Sequence, residues 1–153
     1  MGTGTIRCLL VALALGASGN AMAMLGGTLD TVEADQVRLG AARQVAPVGA
    51  LTQHTLSMPG GASVREYTTS GGLVVGVTWT GPGAPNFKQL FGDAYFSRFT
   101  AAQSQKRAIA HTRFAVQDPD LVIESSGGMH RLFSGRAYLP QALPAGVSPD
   151  QIQ

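Results

Sequence analysis

The sequence predicts an α+β domain: an antiparallel sheet of two three-stranded sections with two helices packed on one face, in the order α-β-β-β-α-β-β-β. Three observations support this class. Short segments that alternate apolar and polar residues are joined by Gly-Gly turns, which favour antiparallel neighbours. Two other segments repeat small or apolar residues at helical spacing. Helices separated in this way from an antiparallel sheet cover one of its faces.

The composition is that of a small folded domain. The chain has 153 residues, of which 44% are hydrophobic and 13% are charged, so it is not a charge-driven disordered chain. The formal net charge is +2, and among the cations only Lys106 and Arg107 are adjacent. A nucleic-acid groove needs clustered cations, so we expect no nucleic-acid partner.

The N-terminus has the order of features found in a signal peptide. Arg7 precedes an apolar run over residues 8–17, which is too short to span a bilayer. Ala21 and Ala23 then provide the small residues that signal peptidase requires. We therefore expect cleavage between Ala23 and Met24, and a periplasmic or secreted mature protein without a transmembrane segment.

Cleavage at this bond also decides the cysteine chemistry. Cys8 is the only cysteine, and it precedes the apolar run, whereas a lipid-modified cysteine follows it. The mature domain would then have no disulfide, no thiol nucleophile and no cysteine-bound metal. We expect neither a metal nor a cofactor. The predicted organisation is a signal peptide over 1–23, one domain over 24–140 and a Pro-containing tail over 141–153.

The first helix and three strands are predicted from caps, turns and alternation. Asp30 and Glu33 form a variant of the capping box, and Pro47 prevents the helix from continuing past Ala46. The strands of the first meander are predicted over residues 51–58, 63–69 and 73–80, and the Gly- and Pro-rich residues 81–85 are expected to stop the sheet. On the third strand, one face is expected to meet the helices; it carries Leu73, Val75, Val77 and Trp79.

The second helix has the clearest periodicity in the chain. Asn86 is a natural N-cap, and the apolar stripe that follows extends to about Gln103. Its large members are Phe87, Leu90, Phe91, Tyr95 and Phe99. Three more strands are predicted over residues 111–117, 121–125 and 129–139, with a bulge at Gly135.

Several short motifs along residues 24–140 resemble a family of short exported proteobacterial proteins described only as a domain of unknown function. The motifs are Leu25-Gly26-Gly27, Arg65-Glu66-Tyr67, Trp79-x-Gly81-Pro82-x-x-Pro85, Leu90-Phe91-Gly92-x-x-Tyr95-Phe96 and Gly128-Met129-His130-Arg131 with Gly135-x-Ala137. The resemblance implies export and a single small domain, and it implies no activity.

The triplet Arg65-Glu66-Tyr67 is a candidate binding patch. Alternation places Arg65 and Tyr67 on one face of a strand and Glu66 on the other. The aromatic ring makes Tyr67 the better inward residue, with Arg65 beside it, although a slip of one residue would exchange the faces. The triplet is either an ion pair at a sheet edge or a recognition patch for a peptide or glycan.

The histidines are His54, His111 and His130, and none has the spacing of a metal signature. His54 is expected to be a solvated or hydrogen-bonded group on a strand. His130 and Arg131 follow a glycine turn, where a ligand can approach the backbone closely.

The sequence thus indicates a non-enzymatic module that binds or assembles with an unidentified protein or glycan of the bacterial envelope. The binding residues predicted for it are Arg65, Glu66, Tyr67, His130 and Arg131. The alternative is a small hydrolase or lyase that uses His130 or His111 with Glu124. A cleft that brings these side chains together would favour the alternative.

Overall fold

The computed structural model of the protein describes residues 24–105, 113–127 and 132–153. Within them lie two helices and seven strands in an α+β arrangement. The elements are α1 (Leu29–Leu39), β1 (Ala42–Val48), β2 (Leu51–Ser57), β3 (Ser63–Thr68), β4 (Val74–Pro82), α2 (Phe87–Gln105), β5 (Arg113–Gln117), β6 (Val122–Gly127) and β7 (Leu132–Tyr138).

The strands form one antiparallel sheet with the order β1-β2-β3-β4-β7-β6-β5. The predicted division into two three-stranded sections is therefore wrong in detail. Two meanders, one of four strands and one of three, join where β4 pairs with β7 from Gly76↔Tyr138 to Pro82↔Leu132. Gly81 and Pro82, which were expected to stop the sheet, still belong to this pairing.

The strand missing from the predicted order is β1. Gly40 ends α1 in a left-handed conformation with a φ of 56°, and the chain enters β1 two residues later. Pro47 was expected only to stop the first helix after Ala46, whereas α1 ends at Leu39 and Pro47 lies within β1. Proline cannot donate a ladder hydrogen bond, and it is accommodated here because β1 is an edge strand with a neighbour on one side only.

Helix α2 packs an aromatic stripe on the sheet, as its periodicity predicted, but it is kinked. Gly92 has a φ of 69° and a ψ of 168°, outside the helical region. The N-terminal segment fills the space at the kink: the Leu25 amide donates to the Leu90 carbonyl at 3.0 Å. A Cβ at position 92 would lie 2.7 Å from the Sδ atom of the flexible Met24 side chain, which would have to shift, and the positive φ is the stronger reason for glycine here.

The sheet has a core on each face. The helix-side core contains Val64, Val77, Trp79 and the buried residues of α2, with Leu39 of α1 packed against it, so both helices lie on this face. The opposite core contains Tyr67, Val75 and four further residues: Leu51, Val122, Tyr138 and Ile152. Leu73 also packs on this second core.

Val75 and Leu73 thus lie on the face opposite to the predicted one. The cause is a register shift between Tyr67 and Thr68, where Tyr67 pairs with Gly76 but Thr68 pairs with Val74. A bulge of this kind reverses the alternation on one side of it. Gly135, where a bulge was predicted, pairs in register with Trp79 and with Ser125.

The segment predicted as a tail covers the second face of the sheet. It forms two short 3₁₀ turns, Pro140–Ala142 and Pro149–Gln151. Ile152 is fully buried. The Arg136 guanidinium donates to the carbonyl of Pro149 at 3.0 Å, which fixes the segment to β7.

Candidate functional site

An apolar pocket of about 180 Å³ opens on the helix side, between the β2–β3 turn, the β4–α2 loop and the first turn of α2. Val64, Trp79 and Leu90 form its buried floor. Its rim combines apolar and small residues from four parts of the chain: Leu39, Met58, Ala62, Ser63, Thr80, Gly81, Pro82, Gly83, Ala84, Pro85, Asn86 and Gln89.

Packing holds the floor of the pocket in place. The Trp79 ring meets the rings of Phe87 and Phe91 edge-on, with centroid distances of 5.3 and 5.7 Å. It lies over Gly135 of the neighbouring strand, where a Cβ would be 2.3 Å from its Cζ2. An aromatic ring enclosed in this way keeps one orientation, so the pocket is preformed.

The first turn of α2 supplies the polar part of the wall. The Oδ1 atom of Asn86 accepts a hydrogen bond from the backbone N–H of Gln89 at 3.2 Å, which is the capping contact predicted for Asn86. The Gln89 side chain points to the other helix, and its Nε2 donates to Oδ1 of Asp35 at 3.0 Å. Asp35 is fully buried and also pairs with Arg38 at 3.2 Å.

A second buried acid lies near Asp35. Glu66 is 2% exposed, and its Oε2 has no hydrogen-bond partner among the described residues. Burial, followed by the negative charge of Asp35, raises the pKa of Glu66 to about 8, against a smaller opposing effect of Arg43. Glu66 is therefore mainly protonated and neutral at pH 7, which explains how it tolerates this environment.

His54 neighbours Glu66 across the β2–β3 ladder and is also buried. Arg43 has only donors, so its guanidinium donates to Nδ1 of His54 at 3.0 Å. The Nε2 atom then carries the proton and donates to the Thr68 hydroxyl at 3.0 Å. Burial, with the nearby Arg43 charge, lowers the pKa of His54, so the ring is neutral.

The structure places the predicted triplet differently from the sequence expectation. Glu66, rather than Tyr67, faces the helices, because it pairs with Val77 of the helix-side core. Tyr67 is fully buried under the C-terminal segment, where its hydroxyl donates to the Gln153 carbonyl at 2.6 Å. Arg65 donates to the same carbonyl at 3.0 Å. A partner therefore cannot reach Glu66 or Tyr67 in this state.

The remaining predicted residues are only partly described. His111, His130, Arg131 and the cleavage residue Ala23 lie outside the described residues, whereas Met24 packs at the α2 kink. Glu124, the proposed partner of a catalytic histidine, accepts a hydrogen bond from Arg136 Nε at 2.7 Å. This ion pair engages the carboxylate across the β6–β7 ladder.

Sequence reasoning missed the pocket and the acid pair behind it. The Gly81-Pro82-Gly83-Ala84-Pro85 segment was interpreted only as a stop to the sheet, although it forms one wall of the pocket. Gln89 was expected to be an exposed helix position, whereas it connects the pocket wall to Asp35. The mixture of Gly and Pro next to Trp79 was the available signal, since such loops often form binding sites on a rigid scaffold.

In the described part of the chain, no group of three or more His, Cys, Asp or Glu side chains could hold a metal ion. Within the same residues, no helix is long and apolar enough to cross a membrane.

Comparison with known proteins gives one family and a distant structural likeness. No curated protein matches the sequence. An extracellular protein containing an SCP domain from Bacillus anthracis str. Ames has a similar structure with a TM-score of 0.42 and 10% identity. The match covers 95% of this chain and 57% of that protein. The model of a family described as "Protein of unknown function (DUF2844)" matches residues 21–152, and the chain belongs to this family.

Proposed function

We propose that the protein is an exported, non-enzymatic binding module that holds an apolar side chain of an envelope protein. The pocket over Trp79 is the observation that carries this proposal. It is preformed, apolar and open, and the two acids described behind its wall, Asp35 and Glu66, are buried. A preformed apolar pocket with few polar groups is the usual form of a binding site.

The size of the pocket limits what it can hold. Its volume of about 180 Å³ is below the roughly 300–1,000 Å³ of sites for drug-sized ligands. It is close to the roughly 150 Å³ of an engineered apolar cavity that stays dry and binds benzene. A single aromatic ring or a branched aliphatic group therefore fits, and both occur as protein side chains.

The lining favours a protein partner over a glycan. The hydroxyl groups of a sugar lose their water on binding and need polar partners in return. The floor offers Val64, Trp79 and Leu90, whose side chains provide almost none. A leucine or phenylalanine side chain needs no such partners, and its burial is worth about 1.5–3 kcal/mol.

The geometry also supports binding over catalysis. A general acid or base must come within hydrogen-bond reach of its substrate. Asp35, His54 and Glu66 are 0–3% exposed, and Glu124 is paired with Arg136. Asp35, His54 and Glu66 therefore cannot reach a substrate in this structure, and the carboxylate of Glu124 already accepts a hydrogen bond from Arg136.

His130 and Arg131 are proposed to contribute to binding. They directly precede Leu132 in the sequence, and Leu132 pairs with Pro82 of the pocket wall. Arginine is a common anchor residue of binding sites.

Export is the second part of the proposal, and it rests on the signal-peptide pattern of residues 1–23. Cleavage between Ala23 and Met24 would keep the described N-terminal residues, which begin at Met24, in the mature protein. Leu25, 1% exposed, is the second residue after the bond.

Toluene is a suitable probe because it represents a phenylalanine side chain. We expect it to raise the melting temperature of the wild-type protein in a saturable manner, since a ligand that binds only the folded state stabilises it. Ala62→Leu narrows the pocket and should abolish the shift. Ala50→Leu, in the exposed β1–β2 turn, is the matched control and should retain it. If toluene raised the melting temperature of both variants equally, or did not raise that of the wild type, the proposed site would be refuted.

A further inference from the structure

The two helices that border the pocket are joined by one buried carboxylate. Asp35 of α1 accepts the hydrogen bond of Gln89 from α2 and pairs with Arg38. Gln89 and Leu39, four residues after Asp35, both line the pocket. The position of Asp35 therefore sets the spacing of two pocket walls.

Glu66 is the group best placed to disturb this bridge. It projects from β3 into the same buried region and interacts electrostatically with Asp35. Charging Glu66 would place a second negative charge beside a carboxylate that holds α1 and α2 together. Two like charges repel each other more strongly where water is excluded than in bulk water.

The other charged and titratable groups around Glu66 come from three elements. Helix α1 contributes Glu33 and Arg38, β1 contributes Arg43, and β2 contributes the neutral His54. Arg43 pairs with Glu33 at 3.5 Å and donates to His54 at 3.0 Å, while its Nε has no partner among the described residues. Its effect on the pKa of Glu66 is smaller than those of burial and of Asp35, so it offsets only part of a new charge on Glu66. The facing residue of β4 is Val77, which offers no compensation.

We propose that the proton on Glu66 controls the pocket: while Glu66 is neutral the Asp35–Gln89 bridge holds the pocket open for its ligand, and loss of the proton breaks the bridge and weakens binding. The inference rests on the proposed function of the pocket. Binding and proton uptake are then linked, so an occupied pocket also holds the proton more tightly.

The direction and range follow from the environment of Glu66. Its pKa of about 8 places the change between roughly pH 7 and pH 9. Below this range Glu66 is neutral and the pocket binds its apolar ligand. Above it Glu66 is charged and affinity falls.

The experiment measures toluene affinity from pH 6 to pH 9.5 in the wild type and in Glu66→Gln, which keeps the shape of the side chain without the charge. We expect a loss of roughly ten-fold in the wild type, within the usual range for coupled sites. In Glu66→Gln the affinity should stay constant within about two-fold over the same range. A constant affinity in the wild type, or the same loss in the variant, would overturn the inference.

A second readout needs no ligand. Trp79 is the only tryptophan of the chain and forms the pocket floor, so its fluorescence reports the state of the pocket directly. We expect a pH transition with a midpoint near 8 in the wild type and none in Glu66→Gln. Gln89→Met, which removes the bridge but keeps Glu66, should also lose the transition. Lys88→Ala, on the exposed side of the same turn, should keep it.

The two proposals fail separately. If toluene does not bind at any pH but the Trp79 transition occurs, the ligand assigned to the pocket is wrong and the link between Glu66 and the pocket is retained. If toluene binds with the same affinity at every pH and the fluorescence is constant, the binding site is retained and the link is wrong.

Discussion

At the scale of single residues, Gly135 shows how one missing Cβ determines the site. A side chain there would lie 2.3 Å from the Trp79 ring and 2.4 Å from the Glu124 carbonyl oxygen. Neither neighbour is the free end of a flexible chain, so the ring would have to move. The glycine that was interpreted as a bulge instead provides the surface on which the pocket floor rests.

Gly135→Ala should therefore destabilise the protein by about 1–3 kcal/mol or more, the range for added volume in a packed core. Urea unfolding followed by circular dichroism gives the change in free energy. Gly60→Ala, in a turn where a Cβ meets nothing within 4 Å, is the control. Its effect should stay within about 0.5 kcal/mol. Similar effects at both positions would mean that Trp79 does not pack on Gly135.

Glu66 makes stability depend on pH in a defined direction. Its pKa is raised from an ordinary value of 4.5 to about 8 on folding, so the folded state binds its proton more tightly. The resulting stability is fully present below about pH 4.5 and is lost as pH rises to about 8. His54 acts in the opposite sense, because its lowered pKa removes stability as pH falls below its ordinary value of 6.5.

Glu66→Gln should lack the alkaline loss of stability. Relative to the wild type, the variant should gain stability as pH rises from 5 to 9, by a few kcal/mol over the range. Urea unfolding at several pH values measures this difference. Parallel curves for the two proteins would show that Glu66 is charged at neutral pH in the folded state.

At the scale of elements, the N-terminal segment and the α2 kink depend on each other. Leu25 donates to the Leu90 carbonyl, and Gly26 and Gly27 exchange backbone hydrogen bonds with Val74. The segment thus connects α2 to β4 directly beside the pocket floor. We conclude that residues after the expected cleavage bond are part of the domain core.

Leu25→Ala should destabilise the protein by about 2–5 kcal/mol, the range for a buried leucine truncation. Val37→Ala is the matched control because Val37 is 82% exposed on α1. Its effect should lie within about 0.5 kcal/mol. Thermal or urea unfolding distinguishes the two. A small effect at Leu25 would mean that the segment is not held in the α2 kink.

Local patterns predicted most of these elements. The alternation of Val77 and Trp79 and the stripe from Phe87 to Phe99 reflect contacts that repeat along one element, so periodicity reveals them. Strand β1 was missed because Ala41 and Ala42 were interpreted as part of the first helix, which Pro47 was expected to stop only after Ala46; the helix ends at Leu39 instead. The face of Val75 was wrong because one bulge reverses alternation without any change in the pattern.

At the scale of the whole molecule, both faces of the sheet are covered near the predicted binding patch. The helices cover Glu66 and the C-terminal segment covers Tyr67, so alternation alone could not distinguish an exposed face from a buried one. The acid pair was equally beyond sequence reasoning, because Asp35, Glu66 and Gln89 are far apart in the chain. Only the packing of α1, β3 and α2 brings them together.

The proposed export concerns the intact chain and has its own test. N-terminal sequencing of protein recovered from outside the cytoplasm should begin Met24-Leu25-Gly26-Gly27. The same experiment on an Ala23→Leu variant should give uncleaved or differently cleaved protein, because the residue before the bond must be small. A wild-type protein that retains residues 1–23 would contradict the assignment.

The central claim is that the pocket over Trp79 binds a compact apolar group, and methyl NMR tests it most directly. Met58 lines the pocket, so its ¹³C-labelled methyl group reports occupancy at the site itself. We predict that toluene shifts the Met58 resonance saturably in the wild type and in Ala50→Leu, and leaves it unchanged in Ala62→Leu. A Met58 resonance that does not respond to toluene, or that responds equally in Ala62→Leu, would contradict the account.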